Sequence, residues 1–154
     1  MLDFLLGIHR LNMYDDYEFN WSVWDHEQIH VGDKFYWAKV GRYGQVGIVG
    51  TGTIVSEPYA DEDWSGQGRQ TFYVEYKADV LLNPDAVPIL TAWELQIAIP
   101  DVEVNGGHSG LVLTDAQAAR LDTLWQEMMQ RNAAEYDKAK NLTRGSKDLV
   151  YIKN

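Results

Sequence analysis

The chain contains no cysteine. That excludes disulfides, thiolate metal sites and cysteine nucleophiles, and it fits a reducing compartment. No apolar run approaches the roughly 18 residues that a membrane helix needs. The opening Met1–Leu6 is apolar but is too short for a signal peptide and has no basic flank. The expectation is a cytoplasmic protein. No Gly-Lys-Ser/Thr occurs. Gly47, Gly50 and Gly52 follow a Gly-x-x-Gly-x-Gly spacing, and Ile54–Pro58 reads as more strand rather than a helix. A phosphate-cradling loop is therefore excluded.

Positive charge is scarce. There are 13 Lys and Arg against 23 Asp and Glu, a net charge of −10, and such a surface repels phosphates. The deficit is uneven. Lys138, Lys140, Arg144, Lys147 and Lys153 face only Asp148, a balance of +4 that leaves −14 on the rest. Between residues 31 and 56, Lys34, Lys39 and Arg42 face only Asp33. Length fits one domain, residues 1–137, followed by a basic tail at 138–154. A solvated surface explains such charge runs as readily as a binding role does.

Flat rings are abundant: six Trp, nine Tyr and four Phe. Phe19-Asn20-Trp21-Ser22-Val23-Trp24 crowds two indoles beside a loop, more than a core of this size requires. Trp125 falls on the apolar stripe of a helix and belongs to the core. Trp93 opens another helix and is expected to pack down onto the sheet. Of Phe35 and Trp37, one is expected to face the core and the other not. Trp21, Trp24 and Trp64 remain as pocket candidates, since rings near loops form aromatic cages.

Strands are expected at 4–11, 17–24, 34–40, 46–56 and 70–82, from alternation and β-branched content. Glycines inside the fourth signal tight curvature or close approach by another backbone. Asp25–Ile29 allows one helical turn, Gly41–Gly44 a hairpin connection, and Tyr59–Arg69 a polar loop. Thr91-Ala-Trp-Glu94 and Thr114-Asp-Ala-Gln117 are capping boxes. The first helix stops near Pro100, and the second runs to about Asn132. The fold class is α+β, mainly β: a small curved barrel with helices on its outside.

Three groups invite catalytic readings. His26-Glu27-x-x-His30 matches a zinc-helix motif, but Val31-Gly32-Asp33 ends the helix after barely one turn, so no metal site is expected. Glu57, Asp61, Glu62 and Asp63 carry acid–base potential, yet such a run is more often a hydrated loop. His108-Ser109-Gly110 lacks the third member of a triad and reads as a tight loop whose serine can meet a ligand edge. No nucleophile, base and oxyanion donor coincide, so an enzyme and a cofactor are not expected.

Trp21-Ser22, Val31-Gly-Asp-Lys-Phe-Tyr36 and Gly47-Ile-Val-Gly-Thr-Gly-Thr-Ile-Val-Ser-Glu-Pro-Tyr59 together resemble the EVE domains of the PUA-like superfamily. YTH domains, readers of methylated adenine in RNA, are their structural relatives. Phe72-Tyr-Val-Glu75, the Ser109-Gly110 step and the helix near Trp125 extend the likeness to roughly residues 3–128. The resemblance implies a small curved PUA-like barrel whose aromatic pocket takes a modified base of DNA or RNA without catalysis. It places Trp21 as a wall and Ser22 as an edge contact. Asn12 then reads a base edge, and Trp64 is a second wall. Lys34, Lys39, Arg42, Arg69 and the basic tail are the candidates to hold phosphates. The competing expectation is an acidic interaction protein of the same fold, a defence-enzyme inhibitor or DNA mimic that binds a basic protein partner.

Overall fold

In the computed structural model, which describes residues 18–41, 45–63, 65–102, 110, 112–142 and 150–152, the long strand β5 (Gln70–Leu82) is the spine. Six further strands join it in one antiparallel sheet: β1 (Glu18–Ser22), β2 (Lys34–Lys39), β3 (Gly47–Ile54), β4 (Tyr59–Glu62), β6 (Leu90–Thr91) and β7 (Val150–Ile152). Tyr73 pairs with both Ser22 of β1 and Tyr59 of β4. Val80 pairs with both Thr51 of β3 and Ile152 of β7. One edge of β5 thus carries β4 and β3, with β2 beyond β3, and the other carries β1 and β7. The outcome is mainly β and curled into a half-barrel, as expected. The strand expected at 4–11 and the hairpin tip at 42–44 lie outside the described residues.

Two devices curl the sheet. Register shifts occur between Trp37 and Ala38 in the β2–β3 ladder and between Thr51 and Gly52 in the β3–β5 ladder. Each inserts an extra residue, which bends the strand and increases its twist. The second device is the missing side chains on β3. Phe35 pairs with Gly52 and Trp37 with Gly50. A Cβ at Gly50 would fall 2.6 Å from Trp37 Cε3, and one at Gly52 2.6 Å from Phe35 Cζ and 2.1 Å from the Lys77 carbonyl oxygen. The two rings occupy the space that side chains there would fill, and the β5 backbone closes in behind.

Phe35 and Trp37 meet edge to face at 4.9 Å, and both meet Tyr76 at 5.0 Å. They share one face because residues two apart on a strand point the same way, so the expectation that they diverge is corrected. Val74, Tyr76 and Ala78 line the same buried side of β5.

Helices α1 (Ala92–Ala98) and α2 (Asp115–Arg131) begin at complete capping boxes on Thr91 and Thr114. Leu121, Trp125 and Met128 are buried along α2, and Trp125 meets Tyr36 of β2 edge-on. α3 (Ala133–Leu142) follows, and its buried Tyr136 donates to the Pro88 carbonyl at 2.8 Å. Trp93, however, is 70 % exposed. It sits on the side of α1 opposite the anchor Leu95, which is fully buried.

Four elements were not anticipated: β4, β6, β7 and α3. β4 lies within the expected polar loop, where its residues complete the β5 ladder as a mostly exposed strand. β7 lies within the expected basic tail and pairs with Val80–Leu82. No helix among the described residues is long and apolar enough to cross a membrane.

Candidate aromatic site

The register of β1 on β5 assembles the site. Trp21 pairs with Val74, a core residue, so its indole lies on the concave side and packs half-buried against the core. Phe72 is two residues before Val74 and therefore on the same face, diagonal to Trp21. The Val23 amide donates to the Phe72 carbonyl at 2.9 Å, which carries the chain past the end of β1 alongside that ring. A short 3-10 turn at His26–Gln28 then folds back. It lays the His26 imidazole flat on Phe72, with ring centroids 3.6 Å apart and planes 7° from parallel. Trp24, on the outside of the same bend, is 60 % exposed.

The bend is held by Asp25. Its amide donates to the Gly110 carbonyl at 3.1 Å, and its carboxylate accepts from the Val112 amide at 2.8 Å. Asp25 thus pins the ring-bearing loop to the segment ahead of α2. Trp21, Phe72, His26 and Trp24 gather at this end.

Ser22 is placed differently from Trp21. Its strand partner is Tyr73, on the opposite face of β5 from Val74. Consecutive strand residues point to opposite faces, so Trp21 and Ser22 diverge and do not form a wall and an edge for one planar group. On Ser22's side, Tyr59 and Tyr73 lie side by side at 6.2 Å. The Tyr73 hydroxyl donates to the Glu62 carbonyl at 3.0 Å. Its phenol is pushed up by lost hydration and by the carboxylates of Asp63 and Asp61. Asn12, Trp64, Ser109 and Arg42 lie outside the described residues.

The expected phosphate contacts separate. Lys39 is 4 % exposed, which removes it from any polymer-facing role. Lys34 forms an ion pair with Asp122 of α2 and lies 5.2 Å from the centre of the Tyr36 ring. The Tyr36 hydroxyl donates to the same carboxylate oxygen at 2.8 Å. These two donors hold the Asp122 carboxyl below its usual range. Lys34 is thus a bolt between sheet and helix. Arg69 is exposed in the turn after β4.

The catalytic readings also come apart. The His30 ring faces Glu57 at 3.4 Å, whereas the His26 ring is stacked on Phe72. Among the described residues, no three metal-ligating side chains cluster. Glu57 accepts from the Val31 amide, Asp61 from the Glu62 amide, and Asp63 from the Ser65 amide and hydroxyl. Those last two bonds hold the Asp63 carboxyl below its usual range. Asp61 and Asp63 thus cap their local backbone, and Glu57 ties the segment after β3 to the turn at Val31.

Phe72 and His26 are the site residues that sequence reading missed. Phe72 stood in an alternating strand and His26 in a metal-like motif, and only the β1–β5 register unites them with Trp21. No family model, curated protein or solved structure matches the chain.

Proposed function

We propose that this chain is a non-enzymatic binding module that takes a planar heteroaromatic, a modified base of DNA or RNA, onto the ring surface of Trp21, Phe72 and His26. The observation that carries the reading is the parallel His26–Phe72 stack at 3.6 Å beside a half-buried indole. A face that already holds one flat nitrogen heterocycle against an aromatic ring has the shape and polarisability to hold another. A guest base extends the stack on the outer side of His26, with Trp21 and Trp24 flanking it. Each ring contact contributes about 1–3 kcal/mol to holding a base. A methyl group buried among rings adds about 0.8 kcal/mol, roughly fourfold in affinity. The curled antiparallel sheet agrees with the architecture that the EVE resemblance implies, which supports the reading.

The charge pattern limits the mode. Lys39 is buried and Lys34 is ion-paired, and the net charge of −10 repels a phosphate backbone. The base is gripped with little help from phosphates, and the salt dependence of binding is correspondingly shallow. Intrinsic fluorescence titration with methylated and unmodified oligonucleotides, at low and high salt, tests this. Preferential binding of the methylated strand, weakened about 5- to 150-fold by Trp21→Ala, is expected. Negligible and equal binding of all strands defeats the proposal.

A second reading draws on the same end of the molecule. Glu57, Asp61, Glu62 and Glu75 are exposed there, and an acidic rim of this kind suits a basic protein partner or mimics DNA. Competition with DNA for a basic nuclease, undiminished by Trp21→Ala, favours this alternative.

A further inference from the structure

We propose that the outer face of α1 docks a cationic amphipathic helix of a partner protein. Trp93 and Ile97 are 70 % and 67 % exposed. They are four residues apart and so share one helix face. Leu95, fully buried, fastens the helix from its other side, so the exposed pair is left over after α1 has made its own core contact. Burying such side chains is favourable in proportion to the apolar area taken out of water. A partner that covers them gains that stabilisation.

Charge selects the partner. Residues 78–107 contain Asp79, Asp85, Glu94, Asp101 and Glu103 and neither Lys nor Arg. Asp85, Glu94 and Asp101 are exposed. Asp85 also borders an open depression of about 330 Å³, lined by Gln45 and residues 84–89, in the loop that leads into α1. An exposed apolar pair with acids before, within and after its helix fits a helix with an aliphatic row and flanking Lys or Arg, laid helix on helix. A nucleic acid is repelled by the same acids. A second copy meeting this face with its own sets acid against acid.

The test uses the full chain and a labelled synthetic helix of Leu and Lys, about 15 residues long so that it holds helical structure. Control peptides replace Lys by Glu or Leu by Ser, and binding is read by fluorescence anisotropy. Saturable binding of the Leu/Lys peptide alone is expected, weakened at least tenfold by Trp93→Ser or Ile97→Ser and reduced by salt. Both side chains are exposed, so the variants should keep the wild-type thermal midpoint. Trp21→Ala, which disables the ring site, should leave peptide binding unchanged. The proposal is overturned by absence of saturable binding, by equal binding of the Leu/Glu peptide, or by indifference to both α1 variants. It is also overturned if light scattering finds a dimer that Trp93→Ser dissolves, which assigns the face to a second copy.

Discussion

Gly52→Ala is the smallest change that attacks the curl of the sheet. The new Cβ would lie 2.1 Å from the Lys77 carbonyl oxygen and 2.6 Å from Phe35 Cζ, against ordinary contacts of about 3.5–4 Å. Neither neighbour yields easily. The Lys77 residue belongs to the β3–β5 ladder, paired with Thr53. Phe35 is wedged edge-on between Trp37 and Tyr76 at 4.9 and 5.0 Å. Relief requires β3 and β5 to part or the ring cluster to rearrange. Overpacking of this kind costs about 3 kcal/mol, the upper part of the usual range. For a domain of this size that lowers Tm by about 6–12 °C. Gly66→Ala is the control: φ is +70° and nothing lies within 4 Å of the new methyl, so only the left-handed backbone penalty of about 1 kcal/mol applies. Thermal unfolding followed by circular dichroism compares the two. A Gly52→Ala midpoint no lower than that of Gly66→Ala refutes the argument that rings seated on bare backbone shape the half-barrel.

Two further predictions concern protons. Asp122 has its carboxyl pKa lowered by Lys34 and Tyr36 from a usual value of 3.8; stability from this group is therefore present above that pH and lost as pH falls through the lowered native value. With both ionic side chains nearly half exposed, Asp122→Asn should cost about 1 kcal/mol at neutral pH, and urea titration should find the difference vanishing in strong acid; an equal difference at both pH values contradicts the assignment. Burial pushes the Tyr136 phenol up to about 12, so its contribution holds below the usual value of 10 and declines as pH rises toward 12. Tyr136→Phe should lose about 1 kcal/mol with the bond to the Pro88 carbonyl and show a shallower alkaline decline; an unaltered alkaline slope goes against it.

The sequence disclosed those elements whose pattern is local. Capping boxes at Thr91 and Thr114 located both helix starts, because each motif reports its own backbone hydrogen bonds. Alternation located β1 and β5, and β-branched content located β3. β4 was hidden because Tyr59–Glu62 has no buried face to alternate; its pairing comes from the demand of the long β5 for an edge partner. β7 is three residues in a charged stretch and carries no periodic signal. Trp93 misled because aromatic character says nothing about which side of a short helix finds a neighbour. The same limit governed the site. Trp21 and Trp24 were legible as a crowded pair, but the placement of Trp21 opposite Val74 is a matter of register, and register is set by nonlocal pairing. The Lys39 charge suggested a surface, and its burial follows from position on β2 rather than from residue type.

The most direct test is to watch the rings themselves. NMR titration of the labelled protein with a methylated nucleoside should shift the His26 imidazole and the Trp21 indole first and furthest, with His26→Ala and Trp21→Ala each weakening the interaction. Binding that moves other residues and leaves those two unperturbed, or no binding of any planar base, contradicts the account.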